Sequence, residues 1–265
     1  MLALLNKYSR VYLVQIKNNW VREVVYRTNF VTLLFSDVVW LAVELGLFSV
    51  IYANTPTLAG WTREQVYFFL GIFFASDAMF TTFFQRNFWQ FSDLVNKGEL
   101  DILLTKPVHP LFLALSRWIN LTAFLNIFLG LTLAVRYAAP AGFSGGAKWL
   151  LLPVWLVVGM LAQLVLRFAF SIWIFWTERS FAISRLYFQF FALATKPDSI
   201  YPPAIRYLIL TALPFAFISS VPTRALLHGL EWTEYASLLA VFTFFIFFNG
   251  YFWRAGLRRY QSASS

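Results

Sequence analysis

Four charged side chains interrupt stretches of this sequence that are otherwise almost wholly apolar: Asp37, Glu44, Asp77 and Arg167. A charge at the centre of a membrane-spanning helix costs roughly 2.5–3.5 kcal/mol on insertion-based scales. Asp37 and Glu44 are seven residues apart in the sequence and therefore share a helix face. One hypothesis is that the three carboxylates line a route that favours cationic cargo. The other is that Arg167 neutralises one carboxylate while the others reach water near the ends of the spans.

Machinery for covalent catalysis is not recognisable in the chain. The absence of cysteine excludes disulfides and thiolate chemistry. No nucleotide-binding glycine loop or Ser-His-Asp arrangement can be assembled, and His109 and His228 fall on opposite sides of the predicted membrane. We therefore predict no catalytic residue, no metal ligand and no cofactor bound by this chain.

A charged link, residues 96–110 with the sequence NKGELDILLTKPVHP, separates two membrane-length apolar runs. Gly98 permits a sharp turn and Pro107 ends a helix, so we expect a short helix between them. Its charged residues would face the cytoplasm while Leu100, Leu103 and Leu104 dock elsewhere. The link is either a mechanical contact for a partner or an amphipathic linker lying on lipid headgroups. The candidate contact residues are Lys97, Gly98, Glu99, Leu100, Asp101, Leu104, Lys106 and Pro107.

The composition indicates that lipid is the main solvent of the protein. The 265 residues are 60% apolar and 12% charged, against roughly 25% charged in a soluble domain. Because about 20 apolar residues cross a bilayer as a helix, the sequence predicts one all-α membrane domain, residues 1–265, with six transmembrane helices. The predicted spans are approximately residues 28–51, 65–84, 118–135, 149–175, 205–222 and 235–253.

Residues 1–27 are predicted to form an amphipathic helix at the membrane interface. A helical projection gathers apolar side chains on one side and Lys7, Arg10 and Lys17 on the other. The apolar set is Leu4, Leu5, Tyr8, Val11, Tyr12 and Ile16. This helix either lies alone on the membrane or also braces a neighbouring subunit.

Most Lys and Arg residues fall on the side of the predicted membrane that carries both termini, which predicts cytoplasmic termini by the positive-inside rule. This assignment places Lys196 and Arg206 in a second cytoplasmic link, with an interfacial helix or a span extension over residues 178–196. Pro214 and Pro222 should bend the fifth span and make it partly re-entrant. The formal charge of +9 is dispersed along span ends, which favours contact with membrane lipid and not with nucleic acid.

Two patches of sequence resemble a known family. The order GELDILLTKP, Gly98 to Pro107, resembles the coupling segment of type-two ABC exporter permeases, whose membrane subunits have six spans and a cytoplasmic link that fits a groove on the ATPase. The residues Glu23, Tyr26 and Arg27 resemble the helix that enters the membrane in a bacterial branch of that class. In that branch, associated with efflux of viologen-like cations and other toxic compounds, two related permeases and a separate ATPase form one exporter.

The resemblance implies that this chain is the permease of an ATP-driven exporter in the bacterial inner membrane. Its partners would be two copies of an ABC-type ATPase, which would bind ATP and Mg, and a second permease chain, identical or homologous. Glu23 and Arg27 would form an i, i+4 pair, and residues 98–107 would transmit force. The cargo would be amphiphilic and either cationic or lipid-like.

Two other functions remain open at the level of sequence. A proton-coupled secondary transporter would use Asp37, Glu44 or Asp77 as its proton carrier. A membrane-embedded enzyme acting on lipid would need a cluster of polar residues at one interface, and no such cluster with defined acid, base and nucleophile is visible.

Overall fold

The structure, a computed structural model, describes residues 2–25, 27–177 and 180–260. Helices account for the regular structure in these ranges, and no strand occurs there, so the prediction of an all-α membrane protein is confirmed. The α-helices are α1 Leu2–Val25, α2 Arg27–Asn54, α3 Arg63–Phe80, α4 Arg86–Asn96, α5 Leu100–Leu104, α6 Pro110–Ser116, α7 Leu121–Ala138, α8 Leu151–Ser171, α9 Ile174–Thr177, α10 Ser180–Phe191, α11 Pro203–Leu210, α12 Ser220–Leu227 and α13 Trp232–Arg259. A π-helical turn, Thr81–Gln85, joins α3 to α4.

Five helical runs in the described part of the chain are long and apolar enough to cross a membrane. Each overlaps one of the predicted spans, and local capping fixes where several begin. Thr62 and Gln65 form a capping box at the start of α3, and the Asn120 side chain caps α7. The five runs are Val31–Asn54, Arg63–Asn96, Leu121–Ala138, Gly146–Thr177 and Trp232–Arg259.

The predicted fifth span, residues 205–222, is not a single helix. Pro202 and Pro203 start α11, which ends at Leu210, and Pro214 precedes a 3₁₀ turn over Phe215–Ile218. A new helix, α12, begins only at Ser220. Proline removes a helix donor and clashes with the preceding turn, so this apolar segment folds as two short helices instead of one span.

The chain instead changes sides through residues 180–200. Ile183 lies beside Phe91 and Ser92, in the C-terminal half of α4. The Phe191 ring, in contrast, packs on Phe73 of α3 with centroids 5.8 Å apart. Further along, the Ser199 hydroxyl donates to Ala59 O at 3.1 Å, in the turn that joins α2 to α3. Residues 180–200 therefore run between the two ends of α3.

We call the end of the bundle that carries α1, the link and the C-terminal end of α13 the link face. The opposite end, with the loops 55–62, 139–146 and 228–231, is the turn face. The prediction that residues 178–196 form a second cytoplasmic link is therefore wrong for residues 180–196. The described part of this segment leaves the link face, and it ends at the turn face.

A buried carboxylate, Asp198, holds the broken segment at the turn face. Its fully buried side chain accepts from Arg206 Nε at 3.0 Å and from Arg224 Nη1. Asp198 N donates to Ser220 Oγ at 3.1 Å, and Arg224 also donates to Glu234 at 3.1 Å. The short helices α11 and α12 are thus tied to the start of α13.

These contacts correct the predicted sidedness of two basic residues. Arg206 shares a partner with Arg224, and Lys196 lies 3.7 Å from Glu44 in the turn-side half of α2. Both residues therefore belong with the turn-face side, because they cannot lie across the membrane from Arg224. Neutralisation by nearby carboxylates explains why two cations are tolerated there.

The centre of the bundle is α3, which packs backbone to backbone against α7. A Cβ on Gly71 would lie 2.4 Å from Ala134 N, and one on Gly130 would lie 2.4 Å from Ala75 N. Small residues on both helices, Gly71 and Ala75 on α3 and Gly130 and Ala134 on α7, permit this close approach. The similar pair Ala42 and Gly46 differs, since a Cβ on Gly46 would meet nothing within 4 Å.

We expect Gly71→Ala to destabilise the protein, because the new methyl group would overlap the backbone of α7. Overpacking of this kind costs about 1–3 kcal/mol. Gly46→Ala is the matched control, since it adds the same methyl group to a membrane helix with open space around it. Thermal unfolding of the two purified variants in lipid nanodiscs measures the difference. Equal unfolding temperatures would contradict the close α3–α7 contact.

We expect Asp198→Asn to lower stability strongly, since it leaves Arg224 and Arg206 without their shared carboxylate. Breaking a buried ion pair from one side costs about 3–5 kcal/mol. The control is Asp93→Asn, which removes an exposed pair with Lys97 that is worth about 0–1 kcal/mol. Protease sensitivity of the loop 211–219 in the two variants reports whether α11 and α12 have separated, and protection equal to that of the control would argue against the proposed anchor.

Candidate functional site

The link contains the short helix that the sequence predicts. Gly98 adopts φ +74°, a conformation that favours glycine, and α5 follows at once. Leu100 and Leu103 are buried within the chain, whereas Leu104 is 41% exposed. Ile102, which the sequence analysis passed over, is 61% exposed. Helical spacing could have revealed it, because residue 102 lies opposite the side defined by residues 100 and 103.

The charged residues of the link differ in how firmly the protein holds them. Lys97 pairs with Asp93 at 3.0 Å, and Glu99 approaches Arg117 at 3.9 Å. Both pairs are exposed and contribute little to stability. Lys106 and Pro107 are exposed at the end of α5. The link therefore presents a mixed surface of apolar and charged groups.

The C-terminal end of α13 reaches the same surface. Burial, and then the negative charge of Asp101, raises the pKa of the Tyr260 phenol, which therefore stays protonated at neutral pH. The Tyr260 ring also packs edge-on against Phe175 with centroids 6.3 Å apart. Asp101 is thus held beside the end of α13.

Helix α1 runs along the link and holds it at several points. Lys7 Nζ donates to Pro107 O, and His109 N donates to the Tyr8 hydroxyl at 3.1 Å. Further along, the Asn19 amide donates to Arg117 O at 3.0 Å. The predicted interfacial helix is therefore also a brace for the link.

The predicted faces of α1 are only partly correct. Tyr8, Val11, Tyr12 and Ile16 lie against the protein, and Arg10 and Lys17 are exposed, as expected. Lys7 is the exception, because it turns towards the link. A second apolar stripe is exposed, formed by Leu13, Val14, Trp20 and Val21.

Three predicted residues cannot be placed. Tyr26 lies outside the described residues, and so do the side chains of Glu23 and Arg27. Leu4 and Leu5 belong to the same group.

A buried amide joins the segment that follows α6 to the second span. Asn87 Nδ2 donates to Trp118 O, and Trp118 N donates to Asn87 Oδ1, both at 2.8 Å. Arg86 and Arg117 lie over the Trp118 ring at 4.7 and 5.6 Å from its centroid. Two residues on, Asn120 N donates to Thr82 O in the π-helical turn at 2.8 Å. Sequence reasoning missed this clamp, because a single Asn in an amphipathic helix gives no distinctive signal.

Arg167 does not pair as the neutralisation hypothesis required. Arg167 is fully buried, yet within the described ranges it contacts no carboxylate. It lies over the Tyr187 and Phe188 rings, 4.5 and 5.0 Å from their centroids, and donates to Ser184 Oγ at 3.3 Å. The hypothesis that Arg167 neutralises a carboxylate is therefore wrong for the described residues. Its positive charge is instead stabilised by aromatic faces.

The three acidic residues have separate environments. Glu44 lies 3.7 Å from Lys196, and Asp37 accepts from the Asn126 amide. Asp77 makes no hydrogen bond and no salt bridge to any residue that the structure describes. Across those same ranges, no group of three or more His, Cys, Asp or Glu residues converges on a point where it could hold a metal ion.

Comparison with known proteins supplies the family. No curated protein and no solved structure matches the chain. The ABC-2 family transporter protein model matches residues 38–264, which include the link, the Asn87 clamp, the broken segment and α13. The chain therefore belongs to the ABC-2 transporter family, as a multi-pass integral membrane permease that works with an ABC-type ATPase.

Proposed function

We propose that the chain is the permease of an ATP-driven exporter and that a separate ATPase docks on the link. The observation that carries this proposal is the exposure of Ile102 and Leu104 on a helix whose other side is anchored by Leu100 and Leu103. Apolar side chains at the tip of a charged surface are typical of a protein contact. ATP and Mg would bind to the ATPase, which would carry out hydrolysis.

The anchoring of the link supports a role in transmitting force. A docking element that swung freely could not move the membrane helices. Here α1 holds Pro107 and His109, and Asn87 holds Trp118 at the far end of α6. Displacement of α5 would therefore move α4 and the second span with it.

The active assembly would contain two ATPase copies and a second permease chain, identical or homologous. Most of the surface of α2 and α13 is unburied in the single chain, which leaves room for both lipid and a second bundle. An amphiphilic cargo, cationic or lipid-like, would occupy the seam between the bundles. Closure of the ATPases would change which side of the seam is open.

The link face would be cytoplasmic in the bacterial inner membrane, and transport would run outward. Support comes from the basic residues that remain on the link face after Lys196 and Arg206 are reassigned. They include Lys97, Lys106, Arg117, Arg258 and Arg259. This arrangement still follows the positive-inside rule.

We expect Ile102→Glu to abolish recovery of the ATPase with the permease. A carboxylate at this position would be buried in the contact without a partner, which reduces affinity at least tenfold for a cost of about 1.4 kcal/mol. The permease would be isolated from its native membranes, and the bound ATPase would be measured by mass spectrometry and ATP hydrolysis. Leu150→Glu is the control, because Leu150 is also an exposed aliphatic residue but lies on the turn face. Full recovery with Ile102→Glu would rule out docking on α5.

We expect Asn87→Leu to leave the ATPase bound but to reduce transport at least tenfold. Leucine is close to Asn in size but removes the two hydrogen bonds that Asn87 makes with Trp118, each of which contributes about 0.5–1.5 kcal/mol. Gln90→Leu, an exposed amide-to-leucine change on the same helix and outside the link, is the control. ATPase recovery and cargo efflux from vesicles would be measured on the same preparation, after a melting curve has shown that each variant is folded. Normal efflux by Asn87→Leu would refute transmission through this clamp.

A further inference from the structure

Two carboxylates lie level with each other in the middle of the bundle. Helices α2 and α3 are antiparallel neighbours, and the Trp40 ring packs on Phe74 with centroids 4.7 Å apart. Asp37 is three residues before Trp40, and Asp77 is three residues after Phe74. Each is therefore one turn from the contact in the same direction along the bundle, and the two interact electrostatically.

Two other helices add polar groups at the same level. Helix α7 places Asn126 beside Asp37, to which its amide donates. On α10, Tyr187 is one turn before Phe191, which packs on Phe73, while Asp77 is one turn after Phe73. Tyr187 and Asp77 are thus level, and they too interact electrostatically. We call Asp37, Asp77, Asn126 and Tyr187 the polar layer.

Two buried atoms of the polar layer have no hydrogen-bond partner among the described residues. Asn126 Oδ1 and the Tyr187 hydroxyl are buried without a hydrogen bond, although Asn126 and Tyr187 are more than nine-tenths buried. The orphaned Asn126 oxygen belongs to the same amide that contacts Asp37. Buried polar groups are almost always satisfied, so these atoms point to a ligand that the chain itself does not supply.

The charge of the polar layer indicates what kind of ligand it would bind. Two negatively charged carboxylates that interact inside a membrane repel each other, and no cation among the described residues contacts either of them. Arg167 lies over the face of the Tyr187 ring, 4.5 Å from its centroid. One additional positive charge brings the polar layer and Arg167 to zero net charge.

We propose that the polar layer is a binding site for one monovalent cation, either a proton or an alkali-metal ion. Both offer the same chemistry, a single positive charge held by carboxylate, amide and hydroxyl oxygens. The site goes beyond the proposed function, because it requires neither the ATPase nor the cargo.

Glu44 is an interior carboxylate outside the polar layer that has a cationic partner within the chain. It lies two turns from Asp37 on the same face of α2 and is paired with Lys196 at 3.7 Å. Lys196 also lies 5.5 Å from the centroid of the Phe48 ring. Glu44→Gln is therefore a matched control for the loss of one acidic group outside the polar layer.

The test uses the purified full-length permease in lipid nanodiscs, without the ATPase. Melting temperatures would be measured in NaCl, KCl and choline chloride at equal ionic strength, from about pH 5 to about pH 9. Binding of radioactive sodium would be measured in parallel. The variants are Asp77→Asn, Asp37→Asn and the control Glu44→Gln. Two variants of the polar layer are used so that, if one does not fold, the other still tests the proposal.

An alkali-metal ion predicts saturable sodium binding and a melting temperature several degrees higher in NaCl or KCl than in choline chloride. A proton predicts no such salt difference but a pH-dependent melting temperature. In either case Asp77→Asn and Asp37→Asn should lose the dependence of the melting temperature on salt or on pH, and Glu44→Gln should keep it. The proposal is overturned if the wild type shows neither dependence, or if the layer variants retain it. Because no ATPase is present, failure of this test would leave docking on the link untouched.

Discussion

The close contact between α3 and α7 is the constraint on which the rest of the structure depends. Gly71 against Ala134 and Gly130 against Ala75 let the two backbones touch, which fixes the register of the two helices. That register brings Asn126 level with the last turn of α3, close to Asp77. Further along, it brings Asn120 to Thr82 and Trp118 to Asn87. A shift of one residue would break the interior polar contacts and the clamp on the link together.

Interior charge is handled differently at each depth of the bundle. At the turn face, Asp198 and Glu234 balance Arg206 and Arg224 through direct ion pairs. Nearer the middle, Lys196 balances Glu44, and deeper still Arg167 relies on the faces of aromatic rings. The polar layer departs from this pattern, since the described residues supply no counter-charge in contact with its carboxylates. An imbalance confined to one level is what distinguishes a site for a ligand from a structural ion pair.

The sequence predicted most of the fold, and its errors have physical causes. Apolar length identified five membrane-crossing runs, and the turn chemistry of Gly98 and Pro107 bounded the helix of the link. Hydropathy failed over residues 205–222, because an apolar segment divided by Pro214 is suited to lipid without being able to span it as one helix. Hydropathy also failed over residues 180–200. Arg185 and Lys196 make this segment resemble a polar link, although it runs between the two faces.

Residue types in the candidate sites were easier to predict than their partners. Asp37, Asp77 and Arg167 stand out against an apolar background, and this identified them as unusual. Which of them meet depends on the register between helices far apart in the sequence, and composition contains no information about it. Asn87 and Asn126 were missed for a related reason, since a neutral amide in a helix becomes informative only when its partner is known.

The polar layer and the link are connected by one element of the structure. Asp77 and Asn87 are ten residues apart on the helical run Arg63–Asn96, a distance of about 15 Å along a helix axis. Between them lies the π-helical turn Thr81–Gln85, the one place in this run where the α-helical ladder is interrupted. The α3–α7 contact immobilises the part of the run that carries Asp77, while the Asn87 clamp ties the other part to the link. A load on the link would therefore act across the π-helical turn, so this turn is where movement of the link would be converted into a change at the polar layer.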